Sequence, residues 1–250
     1  MQCLMIGGAS HVGKSTLAAA WGAKLGWPVI STDRLGRHPG RPWPAQGRAV
    51  PPHVAEHYAT HDAEALLESN LEHYRAMWPL IETLVTAHLT APMGRLIVEG
   101  SGCWPDQMRQ TALPGAAALW LVATDDQIAN RIRAESGYAA DPAAQTAIDR
   151  FIARSRLFNR RLAERLAALG LPATEVREAE RLTDTISRCQ DRLFALWARI
   201  GWRRGICLRS EDLPFLACFL RCGLLWLSQS GKLWPAGRFC ERVGTALVWV

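Results

Sequence analysis

Lysine is nearly missing from this chain: of 29 basic residues only Lys14, Lys24 and Lys232 are lysines, and the rest are arginines. The formal net charge is +6 over 250 residues, a surplus that raises the question of a nucleic-acid partner. From Gly201 onward seven Lys/Arg stand against three Asp/Glu, a surplus of four, which leaves two for everything before it. The body is thus almost balanced, and no nucleic-acid partner is expected. No apolar run is long and charge-free enough to cross a bilayer, and the start of the chain does not read as a signal peptide, so a cytoplasmic setting is the expectation. Cysteine is sparse in the body, where Cys3, Cys103 and Cys189 stand apart, while Cys207, Cys218, Cys222 and Cys240 crowd the end. Neither C-x-x-C nor H-E-x-x-H occurs, which argues against a structural zinc site and a zinc protease. The N-K-x-D that reads guanine in GTPases is absent too, and "LIVEG" offers one glutamate before glycine where a motor ATPase would carry paired acids.

What is present is phosphate chemistry at the very beginning. "GGASHVGKST", Gly7 to Thr16, fits G-x-x-x-x-G-K-[ST] with Gly8, Gly13, Lys14 and Ser15 in register. Successive main-chain N–H groups along Gly8, Ala9, Ser10, His11, Val12, Gly13, Lys14, Ser15 and Thr16 would curl round phosphate oxygens, and glycines permit that curl. Lys14 would reach the β- and γ-phosphates of ATP, Ser15 would ligate Mg²⁺, and the helix N-terminus would add its positive dipole end. The flanks agree with this. "CLMI" reads as a buried strand, and "KSTLAAAWGAKLG" as a helix with Leu17, Trp21 and Leu25 four apart and Gly26 as its stop.

Further on, "WPVIS" is a second strand ending at Thr32-Asp33. A Pro/Gly/Arg-rich loop follows, too long for a mere connection and so a candidate substrate loop. Residues near His53 to Thr90 read as helical, with Ala65, Leu66, Leu67, Leu71, Tyr74 and Trp78 as apolar positions. His53, His57 and His61 recur four apart on that stretch, but three histidines over two turns diverge, and no metal is expected there. "GRLIVEG" and "AAALWLVAT" are strands three and four, Asp125 opens a helix, a long helix runs from about Pro142 to Leu169, and "ATEVREA" is a fifth strand before a last helix ending near Ile200. Strands alternating with helices predict an α/β three-layer sandwich around a five-stranded parallel sheet. Residues 1–200 form the expected catalytic domain. Residues 201–250 form a hydrophobic and basic tail with neither a helical period nor strand alternation. That tail is open to three readings: a packing appendage, a contact for a weak homo-oligomer or a membrane surface, or an aberrant extension.

In an open parallel sheet ligands gather beyond the carboxyl ends of the strands. Asp33 and Glu99 lie there. Asp33 is the candidate base for a substrate hydroxyl, and Glu99 the candidate to orient the Mg²⁺ shell through water or to position the substrate. Arg37, His38 and Arg41 stand where an anionic substrate would meet them, since guanidinium forks suit carboxylate and phosphate. On the long helix, Arg150, Arg154, Arg161 and Arg165 share one face, opposite an apolar stripe of Phe151, Phe158, Leu162 and Leu169, and solvation is the plain role of such a face.

The loop "GGASHVGKST" followed by "VISTD" resembles the small-molecule kinases of the adenylate-kinase-like P-loop group, notably those acting on 2-phosphoglycerate, with shikimate, gluconate and chloramphenicol kinases as relatives. The likeness spans about residues 1–190 and is specific in the phosphate loop and the Ser31-Thr32-Asp33 turn. It implies a kinase that transfers the γ-phosphoryl of Mg·ATP to a hydroxyl of a small metabolite, with Asp33 as base or substrate anchor. It also implies a substrate region at about 34–92 and an arginine-bearing lid at about 125–160, for which Arg131 and Arg154 are the candidates and Arg133 a neighbour. His11 departs from the group, which usually has glycine there, and such a histidine would adopt positive φ. An ATPase or regulator without an acceptor, a nucleotide-binding interaction module, and a zeta-toxin-like nucleotide-sugar kinase fit the same residues.

Overall fold

Four consecutive residues, Cys3 to Ile6, are at most 1% exposed, so side chains on both faces of β1 (Cys3–Gly8) are covered, as in the centre of a parallel sheet. The computed structural model describes residues 2–36, 40–45, 47–91, 94–111, 113, 115–138, 140–177, 184–185 and 187–188, together with the backbone of four strands after residue 224. The chain divides into two compact units, Met1–Phe194 and Ala195–Val250.

In the first unit β1 is flanked by β3 (Leu96–Glu99) and β4 (Ala116–Val122), with β2 (Val29–Ser31) and β5 (Ala173–Glu175) at the edges, giving the order β2-β3-β1-β4-β5 with every pairing parallel. This is the expected five-stranded α/β sheet. Its carboxyl edge is where β1 releases the phosphate loop, β2 releases Asp33 in a short turn (Thr32–Arg34), and β3 ends on Glu99.

Helices α1 (Lys14–Leu25), α2 (Pro52–Thr60), α3 (Ala63–Thr90), α4 (Pro105–Thr111), α5 (Asp125–Ser136) and α6 (Pro142–Ala168) complete the unit. Gly26 ends α1 in the left-handed conformation at φ 66, its N–H bonded to the Gly22 carbonyl. Asp62 separates α2 from α3 by accepting from the Ala65 N–H at 2.8 Å. Thr124 and Gln127 form a reciprocal capping box on α5. The stretch expected as a lid corresponds to α5, residues 137–141 and the first part of α6.

Several details differ from expectation. The seven residues of α4 are too short to show a helical period. Ala65 faces solvent on α3, whose core positions include Leu66, Leu67, Leu71, Tyr74, Met77, Trp78, Ile81 and Val85. On α6, Leu166 is buried at 1% in the place expected for Leu169. The arginine face of α6 is a flank beside the apolar stripe rather than opposite it, and α2, α3 and α4 lie against it. Arg150 donates to the Tyr58 and Ala59 carbonyls, Arg161 pairs with Glu64 and Glu68, and Arg165 pairs with Asp106. Arg154, at 2% exposure, is not solvated at all.

In the second unit, β6 (Leu225–Leu227), β7 (Leu233–Pro235), β8 (Cys240–Val243) and β9 (Ala246–Trp249) form an antiparallel sheet in sequence order, where the sequence showed no strand alternation. Arg37, His38, Cys189, Cys207, Cys218 and Cys222 lie outside the described residues, as does most of the helix expected to end near Ile200.

Candidate functional site

The phosphate loop is shaped by what its backbone must avoid. Gly8 has φ 148, and a Cβ there would stand 2.6 Å from the Leu121 carbonyl oxygen. Gly13 has φ 98 and opens α1. Between them Ala9 and Val12 are fully buried, anchoring the loop, while the Ser101 hydroxyl donates to the Gly8 carbonyl at 2.9 Å. His11 adopts φ 63, the one non-glycine residue with positive φ among the described residues, as its place in the motif led us to expect.

The first turn of α1 contains no acid, and no side chain caps it. Its N–H groups and the positive end of its dipole are therefore left for an external anion. Lys14 is 9% exposed, and its Nζ donates to the Ala9 carbonyl at 2.6 Å. Burial lowers its pKa, and the negative charges of Glu99 and Asp33 oppose that shift.

These groups border a single cavity of about 840 Å³ that reaches from Ser10–Thr16 to Asp33, Glu99, Arg41 and Arg131. Its size falls within the range of small-molecule and cofactor pockets, roughly 300–1,000 Å³. Asp33 is exposed there, with no hydrogen bond or ion pair to a described residue, whereas Glu99 is only 4% exposed. Gly100 holds Glu99 in place: at φ 147 it lets Thr32 approach so closely that a Cβ would lie 1.8 Å from the Thr32 hydroxyl. Ser15 and Thr16 are exposed at the start of α1. The loop, the two carboxylates, Arg41 and Arg131 are thus brought together, while Arg37 lies outside the described residues and Arg154 does not border the cavity.

Each arginine has its own environment. Arg131 donates to the His11 carbonyl at 3.1 Å. Arg41 pairs with Glu135. Arg133 turns away toward Tyr138 and Asp149. Arg154 lies 4.3 Å from the centroid of the Phe151 ring, donates to the Ser155 hydroxyl at 3.3 Å, and leaves its Nε without a hydrogen-bond partner among the described residues. No carboxylate pairs with it among the described residues. Its charge bears on Lys14, Tyr58 and Tyr74, so it stands between the phosphate loop and the α2–α3 side of the unit.

Sequence reasoning missed Ser101, Glu135, Phe151, Val176 and Arg177, which also border the cavity. Only "SG" immediately after Glu99 offered a local signal, for Ser101. The His57 and His61 rings lie 4.6 Å apart, and among the described residues no group of three His, Cys, Asp or Glu is placed to hold a metal. No described helix is long and apolar enough to cross a membrane.

No family model matches the chain, and no curated protein matches it by sequence. Among solved structures it is similar to a gluconokinase from Sinorhizobium meliloti 1021, at 16% identity over 81% of this chain and 97% of that one, with a TM-score of 0.47. It is also similar to a shikimate kinase from Bacteroides thetaiotaomicron (14% identity, 77% of this chain and 98% of that one, TM-score 0.41). A deoxyadenosine kinase from M. mycoides with bound dATP is similar at 12% identity, 77% of this chain and 99% of that one, and a TM-score of 0.44.

Proposed function

We propose that the first unit is a kinase that moves the γ-phosphoryl of Mg·ATP to a hydroxyl of a small anionic metabolite. The observation that carries this reading is the meeting, in one cavity, of an uncapped helix N-terminus, a buried lysine and two carboxylates from neighbouring strand ends. The residues present suit a nucleotide and its metal: main-chain amides of Gly8–Thr16 for the phosphates, Ser15 as a direct oxygen ligand, and Glu99 to hold metal-bound water. Mg²⁺ held by these residues would neutralise phosphate charge. Lys14 would leave the Ala9 carbonyl for the phosphate oxygens as the loop fills. Asp33, which has no hydrogen bond or ion pair to a described residue, would accept the proton of the attacking hydroxyl.

Arg131, fixed on the loop, would stabilise the migrating charge, and Arg41 would meet the acceptor. Arg154 gives the acceptor side its sign. A buried guanidinium without a carboxylate is expensive to maintain, and an anionic group of the substrate would supply the missing partner. The fold keeps Arg154 close enough to Lys14 for their charges to interact.

The test has two parts. Calorimetric titration with Mg·ATP measures binding, with Lys14→Ala as the control that loses transfer. A panel of phosphorylated acids, sugars, nucleosides and aminocyclitols is then screened for acceptor-stimulated ADP formation. ADP release that no acceptor stimulates would turn the reading toward an ATPase. Binding without turnover would turn it toward an interaction module.

A further inference from the structure

His11 is an unlikely residue for its backbone. A left-handed conformation favours glycine, yet the side chain is only 6% exposed and is met by three other parts of the unit. Its Nε2 lies 2.9 Å from Glu135 Oε2 on α5. Trp43, from the loop after β2, and Phe151, from α6, each place a ring centroid 6.0 Å from the imidazole and 4.8 Å from one another. The other Glu135 oxygen takes Arg41, two residues before Trp43, and Arg41 lies 5.9 Å from the Trp43 ring centroid. One carboxylate therefore joins the phosphate loop to the loop that faces the acceptor.

We propose that Glu135 is a positioning residue that clasps residues 40–45 to the phosphate loop through His11 and Arg41, so that filling the loop with nucleotide also sets the acceptor-side loop. This proposal rests on the kinase reading for its meaning but not for its geometry. Two features show that the clasp depends on Glu135. The His11 Nδ1 and Nε2 and the Trp43 Nε1 are all buried without a hydrogen-bond partner, the Glu135 oxygen standing close to Nε2 without hydrogen-bond geometry, which disfavours the packed arrangement. The Arg41–Glu135 pair is also about half exposed, at 46% and 43%, so it adds little to global stability and its effect is on position. The charged groups facing His11 are Glu135, Arg41 and Lys14, and Arg131 holds its carbonyl. Removing the carboxylate leaves Arg41, Lys14 and Arg131 as the charged groups around the imidazole and leaves Arg41 its approach to the Trp43 ring without an ion pair among the described residues.

The experiment compares the full chain with its Glu135→Ala variant by amide hydrogen exchange at residues 40–45, with and without Mg·ADP, beside calorimetric titration of Mg·ADP. Without nucleotide, the amides of Arg41, Trp43 and Ala45 should exchange at least tenfold faster in the variant, while its thermal midpoint stays close to that of the parent. Mg·ADP affinity should change by less than about threefold, because the phosphate loop keeps its own anchors. The slowing of exchange at 40–45 that nucleotide brings in the parent should be lost in the variant. Exchange at 40–45 that is the same in both proteins overturns the clasp. So does a drop of more than tenfold in Mg·ADP affinity, which would make Glu135 part of the nucleotide site. A parent chain that binds no Mg·ADP overturns the kinase reading instead, and the nucleotide-free comparison still judges the clasp. Arg41→Ala serves as a second variant: it should loosen the same amides, and combining it with Glu135→Ala should add little further.

Discussion

Replacing Arg154 with methionine should stabilise the first unit while abolishing its activity. Methionine fills much of the same volume with no charge to desolvate. In the native chain three terms oppose one another. The unpartnered Nε costs about 1–3 kcal/mol, and burying a guanidinium without a carboxylate costs several more. Against this stand a cation–π contact with Phe151 at 4.3 Å, worth up to about 2 kcal/mol, and a long hydrogen bond to Ser155, worth about 1 kcal/mol. The balance favours methionine by at least about 1 kcal/mol, or roughly 2–4 °C or more in the midpoint of a unit of this size. Circular dichroism melts of both proteins measure it. A second melt in the presence of a small dianion such as phosphate separates stability from binding. A ligand at tenfold its Kd raises stability by about 1.4 kcal/mol, and only the parent should show that rise. Loss of more than about 1 kcal/mol in Arg154→Met would refute the reasoning, because the guanidinium would then be a structural tie rather than a group held ready for an anion.

Asp33→Asn should lower kcat by about 10²–10⁴ while leaving Mg·ATP affinity intact, and single-turnover kinetics check it. Gly100→Ala should cost about 3 kcal/mol or more, measured by urea unfolding, since its Cβ would collide with the Thr32 hydroxyl at 1.8 Å and φ is 147. His11 carries a pH prediction. Burial chiefly lowers its pKa to about 4, partly opposed by Glu135. The unfolded chain therefore binds a proton near pH 6.5 that the folded one refuses. Stability from this group is full above about pH 6.5 and is lost as the pH falls toward 4, by up to about 3 kcal/mol. His11→Asn, which tolerates the left-handed backbone, should flatten that part of the urea-midpoint profile against pH. A parent profile identical to that of the variant would show that His11 is not the titrating group.

What could be read from the sequence was what is local in the chain. The phosphate loop was legible because its backbone demands glycine at fixed places and a lysine right behind them, and positive φ at His11 followed from the same pattern. Asp33 and Glu99 were legible because a strand end in a parallel sheet is an address that sequence order supplies. What joins Arg41 to Glu135 spans 94 residues, and Arg131 meets His11 across 120. No spacing rule reaches that far, so Glu135 stayed unseen. Arg154 shows the same limit on a single helix. The helical angle correctly grouped it with Arg150, Arg161 and Arg165, but angle gives direction and not what stands in that direction. Because α2, α3 and α4 lie there, three of the four arginines found carbonyls or carboxylates and one was left buried with no acid among the described residues. A charge in that position is a structural burden unless something outside the chain pairs with it, and under the proposed function that partner is the anionic group of the acceptor.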